Sequence, residues 1–546
     1  MENNIKLKQS LILGALTSSF GIFISKVLGL LYYSPLTSLA GEANMAFYAD
    51  AYSYYETILQ ISSAGIPFAI ASLVAKYILK EDYKTALLIK RIGTSIIMLV
   101  SIFVAIGFAL FATPLAKYTL GNAAPIEDIN KLRNLFLILT ISIIIVPFLS
   151  SVRGYIQGLK RLEIYAGSQV LEQFVRVFSI IILGYISVSL LKFDNIYAVY
   201  FAILAASIGA VVALLFTLKY QKQDVKRVEE LAKYQVLPSK TKKEVINELL
   251  YIGIPYLFTS ILSNGAALVN TTTFANYYTK VYGPSVYEYT LITKSILNAK
   301  VAKLSTIPSV LALGFGSGMI PYLSESLQKN DLKKIGNQIK QILDSSMFIL
   351  IPLMLIFTFF SKDILFIMYG DSNLELGSLI FKVSNIQTFL GTLAPILSSV
   401  MLSLNLRKST IFAMIISLIV KLVSFFPLVK YFGIYGVIYS GALYYGLQSI
   451  LYIVKLYKLY KFNIKNLFVK HFAILVISII SLIPSLIIYY LIDYQCISRI
   501  IDIGYLGILG LLFAIIYYLI TTTLQLPQKI FEIENIDIKS IINKLF

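Results

Sequence analysis

Seven basic side chains lie within long apolar stretches of this sequence, where a charge is costly. They are Lys26, Arg176, Lys294, Lys300, Lys303, Lys382 and Lys421. A lysine or arginine at the centre of a membrane-spanning helix costs about 2.5–3.5 kcal/mol on insertion scales. The same stretches contain few acids, chiefly Asp50, Glu56 and Glu172. A cavity with this balance of charge attracts anions, and lysine binds phosphate or pyrophosphate as a point charge.

Lys300 and Lys303 are the strongest candidates for a cavity role, because like charges one helical turn apart repel unless an anion or solvent lies between them. For Lys26 the alternative is a lysine that extends to the outer headgroups. Arg176 follows Glu172 by four residues, which is compatible with an ion pair within one helix that helps two helices pack, or with a secondary cavity. We interpret Lys294, Lys382 and Lys421 as residues near the ends of spans. Of these, Lys294 is expected toward the outer surface.

Polar side chains form stripes on two of the apolar segments. One stripe comprises Tyr52, Glu56, Gln60 and Ser63, with Tyr48 and Asp50 before it, and the other comprises Tyr256, Ser260, Asn264 and Thr271. Polar faces avoid lipid, so each stripe must face other helices or a water-filled cavity. We assign Tyr52 and Asn264 to the predicted substrate cavity. Glu56 and Asp50 are candidates for binding a coupling cation.

The composition indicates which elements must position these residues. The chain has 546 residues, of which 58% are hydrophobic and 14% are charged. Soluble proteins carry roughly 25% charged residues, and a membrane span needs about 20 mostly apolar ones. We therefore predict an all-α membrane protein without a soluble domain. The net charge of +19 resides mainly in short loops between apolar segments, so we reject a nucleic-acid partner.

The rarest residue types exclude further classes of site. The single cysteine, Cys496, rules out an intrachain disulfide, and the single histidine, His471, leaves no multi-histidine metal site. We predict neither a metal nor a cofactor. No loop contains the clustered acids that a metal-dependent glycosyltransferase needs, and no pair of nucleophile and base is apparent. We therefore predict that the chain is not an enzyme.

Apolar runs recur along the whole chain, and the first is too long for a signal peptide. We predict fourteen spans, with approximate ranges 10–37, 46–77, 87–112, 132–152, 163–190, 195–218, 246–274, 286–324, 338–361, 375–402, 409–429, 434–456, 467–491 and 501–524. The eighth is too long for one straight helix, and we expect Pro308 and the glycines at Gly314–Gly318 to kink it. With the N-terminus in the cytoplasm, basic residues in cytoplasmic segments outnumber those outside by roughly four to one. Both termini are therefore predicted to be cytoplasmic.

An internal repeat divides the chain. GIPFAIASLVAKYILKEDYK from Gly65 matches GFGSGMIPYLSESLQKNDLK from Gly314, 249 residues later. The predicted regions are an N-lobe of six helices at 1–218, a basic cytoplasmic linker at 219–245, a C-lobe of six helices at 246–465, helices 13 and 14 at 466–524, and a cytoplasmic tail at 525–546. The lobes share one orientation. Parallel repeats of this kind are a common way to build a transporter whose halves rock against each other.

The last two predicted helices have no charge along most of their length. No basic or acidic residue occurs in Phe472–Ile492 or Ile503–Leu524. Such a surface suits a lipid-facing groove for an acyl or prenyl chain, and it equally suits structural padding of the bundle.

Two segments carry a family resemblance. SKVLGLLYYSPLTSLAG (Ser25–Gly41) and FYADAYSYYETILQISSAGIPFAIASLVAKY (Phe47–Tyr77) resemble the multidrug/oligosaccharidyl-lipid/polysaccharide exporter superfamily, and within it the MurJ/YtgP branch of lipid II flippases. The resemblance implies two six-helix lobes plus two helices, which agrees with the fourteen spans predicted above. It also implies a bacterial cytoplasmic membrane location and an undecaprenyl-pyrophosphate-linked oligosaccharide as cargo. We expect a monomer among membrane lipids.

The resemblance further implies a central cationic cavity that receives the lipid pyrophosphate. Lys26 occupies the position of a basic residue in the family's first helix, and Lys303, five residues before Pro308, that of another in the eighth. Lysine replaces arginine at both positions and lacks its bidentate geometry. In place of an Arg-Asp pair of the better-known Gram-negative pattern, this chain has Tyr32–Tyr33.

The favoured function is therefore a flippase for a lipid-linked oligosaccharide, with lipid II as the favoured cargo. The motifs do not separate lipid II flippases from sporulation or capsule relatives. A cation-coupled multidrug exporter would share the fold, but its cavity should be rich in acids for cationic drugs. The basic excess in the spans argues against that alternative.

Overall fold

The computed structural model describes residues 28–29, 32–63, 65–236, 238–317, 323, 326–327, 329–370, 373–492 and 498–531. Within these ranges the secondary structure is helical and no strand occurs. Eleven of the described helices are long and apolar enough to cross a membrane. The predicted all-α membrane fold is confirmed, whereas the number of fourteen spans stays a prediction.

Contacts divide the chain into two compact units. The first contains Met1–Lys300 and Phe425–Val437. Its helices are α1 (Tyr33–Ala40), α2 (Glu42–Ser63), α3 (Gly65–Leu79), α4 (Tyr83–Leu110), α5 (Ala112–Leu120), α6 (Ile126–Gly158), α7 (Leu162–Tyr185), α8 (Ile196–Ala232), α9 (Lys242–Tyr282) and α10 (Tyr287–Ser295). Three shorter segments accompany them, a π-helical turn at Ile186–Leu190, a 3₁₀ turn at Pro284–Val286 and a π-helical segment at Ile296–Val301.

The second unit contains Val301–Ser424 and Ile438–Phe546. Its helices are α11 (Ala302–Ser317), α12 (Leu332–Phe359), α13 (Ser361–Tyr369), α14 (Leu374–Ser403), α15 (Arg407–Phe432), α16 (Ile434–Tyr460), α17 (Ile464–Ile492), α18 (Arg499–Thr523) and α19 (Leu526–Phe531). The unit boundaries fall within α15 and α16, each of which contributes to both units. The lobe and linker boundaries predicted from the sequence stay a prediction.

Two predicted spans are subdivided in the structure. The second, predicted as one helix, consists of α2 and α3. In the eighth, the interruption is the π-helical segment Ile296–Val301, and α11 continues across Pro308. The predicted break at Gly314–Gly318 lies partly outside the described residues. A π-helical segment often marks a functional site, and this one carries Lys300.

The core of the first unit joins α3 to α4, α6 and α9. Ile70, Leu73 and Val74 of α3 pack with Ile89 of α4 and Leu249 of α9 in one buried cluster. A Cβ on Gly65 would overlap the backbone of Gly253, so the two helices meet where neither residue has a side chain. Close approach through small residues is how membrane helices gain packing contacts. This contact explains the glycine at the start of the repeated segment.

The repeat is visible in the elements themselves. α4 and α12 begin 249 residues apart and have equal lengths, and each is capped by an aspartate, Asp82 or Asp331. The short helices α5 and α13 follow at the same spacing. Each ends at a glycine with positive φ, 84° at Gly121 and 75° at Gly370, a conformation that glycine adopts at little cost.

The predicted linker is ordered against the start of α4. Asp82 accepts hydrogen bonds from Gln235 Nε2 (2.6 Å) and from both the backbone and the hydroxyl of Ser239. Thr241 then caps α9 through a reciprocal pair of hydrogen bonds with Glu244. Helix α8 extends to Ala232 and α9 begins at Lys242, so both ends of the predicted linker are helical.

Candidate functional site

Two ion pairs inside the first unit connect α2 to α10 and the π-helical segment. Lys294 Nζ lies 2.7 Å from Asp50 Oδ2, and the two side chains are 1% and 0% exposed. Lys300 Nζ lies 2.6 Å from Glu42 Oε2, and Ser295 donates a hydrogen bond to the other oxygen of that carboxylate at 3.1 Å. The two carboxylates are thus paired with two of the seven intramembrane basic residues.

These pairs change the interpretation of Lys294 and Lys300. Lys294 is fully buried against a carboxylate, so it does not extend into solvent, and its depth toward the outer surface stays a prediction. For Lys300 a carboxylate of the chain, rather than a bound anion, neutralises the charge in this structure. A buried ammonium requires such a partner because taking an unpaired charge out of water costs several kcal/mol or more. Asp50 Oδ1 has no hydrogen-bond partner among the described residues.

The predicted pair between Arg176 and Glu172 is not formed. Glu172 pairs instead with Arg153 of α6, at 2.8 Å, and Arg153 also donates to Ser168 at 2.7 Å. Along the described chain no ion pair joins Arg176 to Glu172. The prediction considered only residues on one helix, and the neighbouring helix α6 supplies a closer arginine.

Arg176 lies within a cluster of tyrosines. Its guanidinium carbon is 5.1 Å from the ring centroid of Tyr52, and Nη1 donates to the Tyr52 hydroxyl at 3.3 Å. Tyr48 stacks on Tyr52 with centroids 5.7 Å apart, and its hydroxyl is 2.8 Å from that of Tyr32. Tyr52 of the stripe on α2 thus contacts a buried cation, whereas its place in a substrate cavity stays a prediction. Tyr33, the other half of the Tyr32–Tyr33 pair, is also buried.

The guanidinium of Arg176 retains unused hydrogen-bonding capacity. The residue is 8% exposed, yet Nε and Nη2 have no partner within the described ranges. Buried donors are almost always hydrogen-bonded, so orphaned ones call for a ligand or water. Arginine presents its donors in a planar fork that matches phosphate oxygens. Within the described part of the first unit, Arg176 is therefore the best-prepared cation for an anionic ligand.

Three further predicted site residues are described by the structure: Lys303, Asn264 and Glu56. Lys26 lies outside the described residues. Lys303 is half-buried and belongs to the second unit, whereas Lys300 belongs to the first. Asn264 donates to the backbone oxygen of Ser260 at 2.9 Å, and Glu56 is exposed. The convergence of Lys26, Lys300 and Lys303 on one cavity stays a prediction.

The second unit contains the last two predicted intramembrane lysines, one buried and one exposed. Lys421 lies in the middle of α15, is 2% exposed, and sits 6.0 Å from the ring centroid of Tyr444. Its assignment to a helix end is therefore wrong. Lys382 of α14 is exposed and lines a groove of about 560 Å³ between α12, α14 and α17.

The groove is apolar along most of its wall. Its apolar lining consists of Ile351, Met354, Leu355, Ile386, Phe389, Phe468, Phe472 and Leu475. Thr358, Asn385, His471 and Lys382 supply its polar groups. His471 Nε2 also lies 3.0 Å from Asp344 Oδ1, and Lys470 Nζ lies 2.8 Å from Asp344 Oδ2. No group of three or more metal-binding side chains occurs in the part of the chain that the structure describes.

Solved structures share this architecture. A structure of the lipid II flippase MurJ in an inward closed conformation superposes with a TM-score of 0.67 at 16% sequence identity, over 93% of this chain and 99% of that chain. An inward-facing multidrug resistance MATE family transporter of the MOP superfamily superposes with a TM-score of 0.62 at 14% identity, over 80% of this chain and 96% of that chain. The fold is thus that of a multi-pass membrane transporter.

The sequence comparisons identify the family. The model of a family described as polysaccharide biosynthesis protein matches residues 11–327, more than half of the chain, and the chain belongs to this family. The lipid II flippase MurJ of Bacillus subtilis (strain 168) is 26% identical over 82% of this chain and 82% of its own length. Stage V sporulation protein B of the same organism is 24% identical over 67% of this chain and 68% of its own length. The MurJ and MATE proteins are transporters rather than enzymes, in agreement with the sequence prediction.

Proposed function

We propose that this protein is a flippase that moves a lipid-linked oligosaccharide, with lipid II as the favoured cargo, across a bacterial cytoplasmic membrane. The similarity to the Bacillus subtilis lipid II flippase over 82% of both chains carries this proposal. The geometry of the first unit supports it, because Arg176 places two unused donors in a tyrosine-lined interior. Tyrosine hydroxyls and amides can bind sugars, and the guanidinium suits a pyrophosphate.

The buried ion pairs suggest how the headgroup is received. Glu42 pairs with Lys300 and offsets the cost of burying its ammonium group. A pyrophosphate carries more negative charge than one carboxylate, so it competes with Glu42 for the ammonium group. Lys300 would then transfer from Glu42 to the cargo, and Lys26 and Lys303 would join it as the family resemblance implies. Release of the cargo would restore the pair with Glu42.

The lipid tail requires a separate apolar surface. The groove of about 560 Å³ between α12, α14 and α17 offers one, since aromatic and aliphatic side chains form most of its wall. A prenyl chain lying there would bury apolar area at roughly 25 cal/mol per Å². The helices that follow the predicted C-lobe would thus serve as more than structural padding.

Transport would proceed by rocking of the two lobes, with both termini in the cytoplasm and the chain acting as a monomer. For coupling, Asp50 is better placed than Glu56. It is fully buried and keeps one oxygen without a partner in the described ranges, whereas Glu56 is exposed. A cation at Asp50 Oδ1 would loosen the contact with Lys294.

Two alternative cargoes follow from specific observations. The similarity to stage V sporulation protein B keeps another lipid-linked sugar open. The similarity to the MATE fold is compatible with a cation-coupled drug exporter, although fold similarity at 14% identity does not identify the cargo. Asp50 and Glu42 each pair with a lysine, so neither presents the uncompensated negative charge that binding a cationic drug favours.

The test is depletion of this protein in cells that contain no relative able to substitute for it. We expect lipid II to accumulate on the cytoplasmic side and its outward movement to stop. The variant Arg176→Gln should fail to restore movement, while Lys226→Gln, on an exposed surface of α8, should restore it. Unchanged lipid II movement on depletion rules out the lipid II proposal, and accumulation of a different lipid-linked sugar favours the sporulation-type alternative.

A further inference from the structure

The first unit contains a cavity that has no part in the proposed transport. It measures about 540 Å³ and lies between α4, α6 and α8. It opens at the end of the unit where the basic loops lie, which the charge pattern predicts to be cytoplasmic. Three basic residues of α4 line it, Lys84, Lys90 and Arg91, against one acid, Glu229.

The basic residues differ in how far they are engaged. Lys84 donates to the backbone oxygen of Val236 at 2.9 Å, so one of its hydrogen-bond donors is already used by the linker. Within the described ranges neither Lys90 nor Arg91 forms an ion pair, and Lys90 Nζ is 5.9 Å from the ring centroid of Tyr155. Two positive charges therefore remain available at the cavity.

A buried amide in the wall points to a ligand. Gln221 is 5% exposed and lines the cavity, yet its Nε2 has no hydrogen-bond partner in the part of the chain that the structure describes. A buried donor without a partner, on a residue that lines a cavity, calls for an acceptor, which a ligand in the cavity can supply. The hydroxyls of Thr94 and Ser95 line the same space. The polar part of the cavity is thus suited to oxygen atoms of an anion.

The rest of the wall is apolar and continues along α4. Leu88, Phe148 and Leu218 line the cavity. Beyond Ser95, Leu99 and Phe103 follow at four-residue intervals on one face of the helix and are 70% and 79% exposed. A ligand with an anionic head and apolar chains would match the cavity and this strip together.

We propose that the cavity between α4, α6 and α8 binds the phosphate headgroup of an anionic phospholipid. Lys90 and Arg91 attract the phosphate, Gln221 donates to one of its oxygens, and the acyl chains lie along Leu99 and Phe103. Basic pockets between membrane helices on the cytoplasmic side bind anionic lipids in this way. The site is separate from the buried pairs on α2, and the bound lipid would hold α4 against α6 and α8.

The experiment measures lipid retained by the purified full-length protein, by native mass spectrometry, with phosphatidylglycerol and phosphatidylcholine of identical acyl chains as probes. We expect preferential retention of phosphatidylglycerol. The variant Lys90→Gln/Arg91→Gln should lower its apparent affinity at least fivefold and leave phosphatidylcholine unchanged. The matched control Lys226→Gln/Arg227→Gln removes the same charge from exposed positions of α8 that do not line the cavity, and should retain the parent affinity.

A third variant addresses the buried amide. Gln221→Leu keeps the side chain's approximate size and removes its donor, so phosphatidylglycerol affinity should fall about threefold without a change in net charge. This variant decides the question if the double variant does not fold. Equal losses in both double variants, equal retention of the two lipids, or full affinity in Gln221→Leu would each overturn the proposal. Displacement of phosphatidylglycerol by millimolar glycerol 1-phosphate would instead assign the cavity to a soluble phosphate compound and would also overturn it.

Discussion

The two copies of the internal repeat begin alike and are covered differently. α4 and α12 have the same length and the same aspartate cap, and a short helix follows each at the same spacing. They differ at one equivalent position of the two helices. In α12 that position is Asp344, which is met by Lys470 and His471 of α17, whereas in α4 it is Ser95, which lines an open basic cavity.

This difference shows how a duplicated fold can acquire different functions. Helix α17 covers α12 and places two basic side chains against Asp344. At the equivalent place α8 lines the cavity beside Ser95 with the uncharged Gln221, and Leu99 and Phe103 of α4 stay exposed.

The units also differ in the depth of their ion pairs, and the largest predicted effect concerns the deepest pair. Asp50→Ala should lower the free energy of unfolding by about 3–5 kcal/mol, because it leaves Lys294 buried without a partner. Chemical unfolding in detergent micelles measures this change. Glu56→Ala, which alters an exposed acid of the same helix, should have almost no effect, and Asp50→Ala/Lys294→Met should recover much of the loss. Equal stability of the two alanine variants would contradict the assignment.

Asp344, the buried acid that pairs with Lys470 and His471 in the second unit, should contribute less to stability. Asp344→Ala should cost about 2–3 kcal/mol, since its partners Lys470 and His471 are 21% and 20% exposed and water can replace the lost contacts. The same unfolding measurement applies, with Asp344→Asn as the variant that keeps size and removes charge. If Asp344→Ala lowered the free energy of unfolding more than Asp50→Ala does, the depth of burial would not explain the order of the two effects.

The aspartate cap of α4 should make the anchoring of the linker depend on pH. Burial raises the pKa of Asp82, but hydrogen bonds from Gln235, Ser239 and Thr85 outweigh burial and lower it to about 2. A lowered pKa stabilises the folded state above the ordinary value of 3.8, by about 2 kcal/mol, and this contribution is lost as the pH falls toward 2. Asp82→Ala should therefore release the linker at neutral pH and remove its acid sensitivity.

Limited proteolysis between Lys233 and Thr241 measures that release. Asp331→Ala is the matched control, because Asp331 caps the equivalent helix through Lys334. It should leave cleavage of the linker at the parent rate. Identical cleavage rates in the two variants would show that Asp82 does not anchor the linker.

The smallest effect should come from giving α4 the acid of α12. Ser95→Asp should change the free energy of unfolding by no more than about 0.5 kcal/mol, since Ser95 is exposed. Retention of phosphatidylglycerol should fall about threefold, because a carboxylate in the cavity opposes the phosphate. Ser95→Ala, which removes only a hydroxyl, should lower retention less than Ser95→Asp does. An increase in retention with Ser95→Asp would refute the assigned charge preference.

Part of the site could be predicted from sequence alone. Asp50 and Arg176 stand out because a charged residue within an apolar run needs a partner or a ligand, and this argument uses only the residue and its neighbours. Lys294 could not be placed in the same way. Its partner Asp50 precedes it by 244 residues, and no local pattern connects the two. For the same reason no local pattern connects Glu42 with Lys300, or Glu172 with Arg153.

The sequence by itself determined the class of the fold, its apolar helices and its repeat. These depend on local hydrophobicity, chain length and spacing, since every helix in a bilayer must satisfy its own backbone hydrogen bonds. Only the tertiary structure decided which charges neutralise each other, which donors of Arg176 and Gln221 stay unused, and which copy of the repeat is covered. Those outcomes depend on contacts between distant helices, where a few ångströms separate a buried ion pair from an unsatisfied charge.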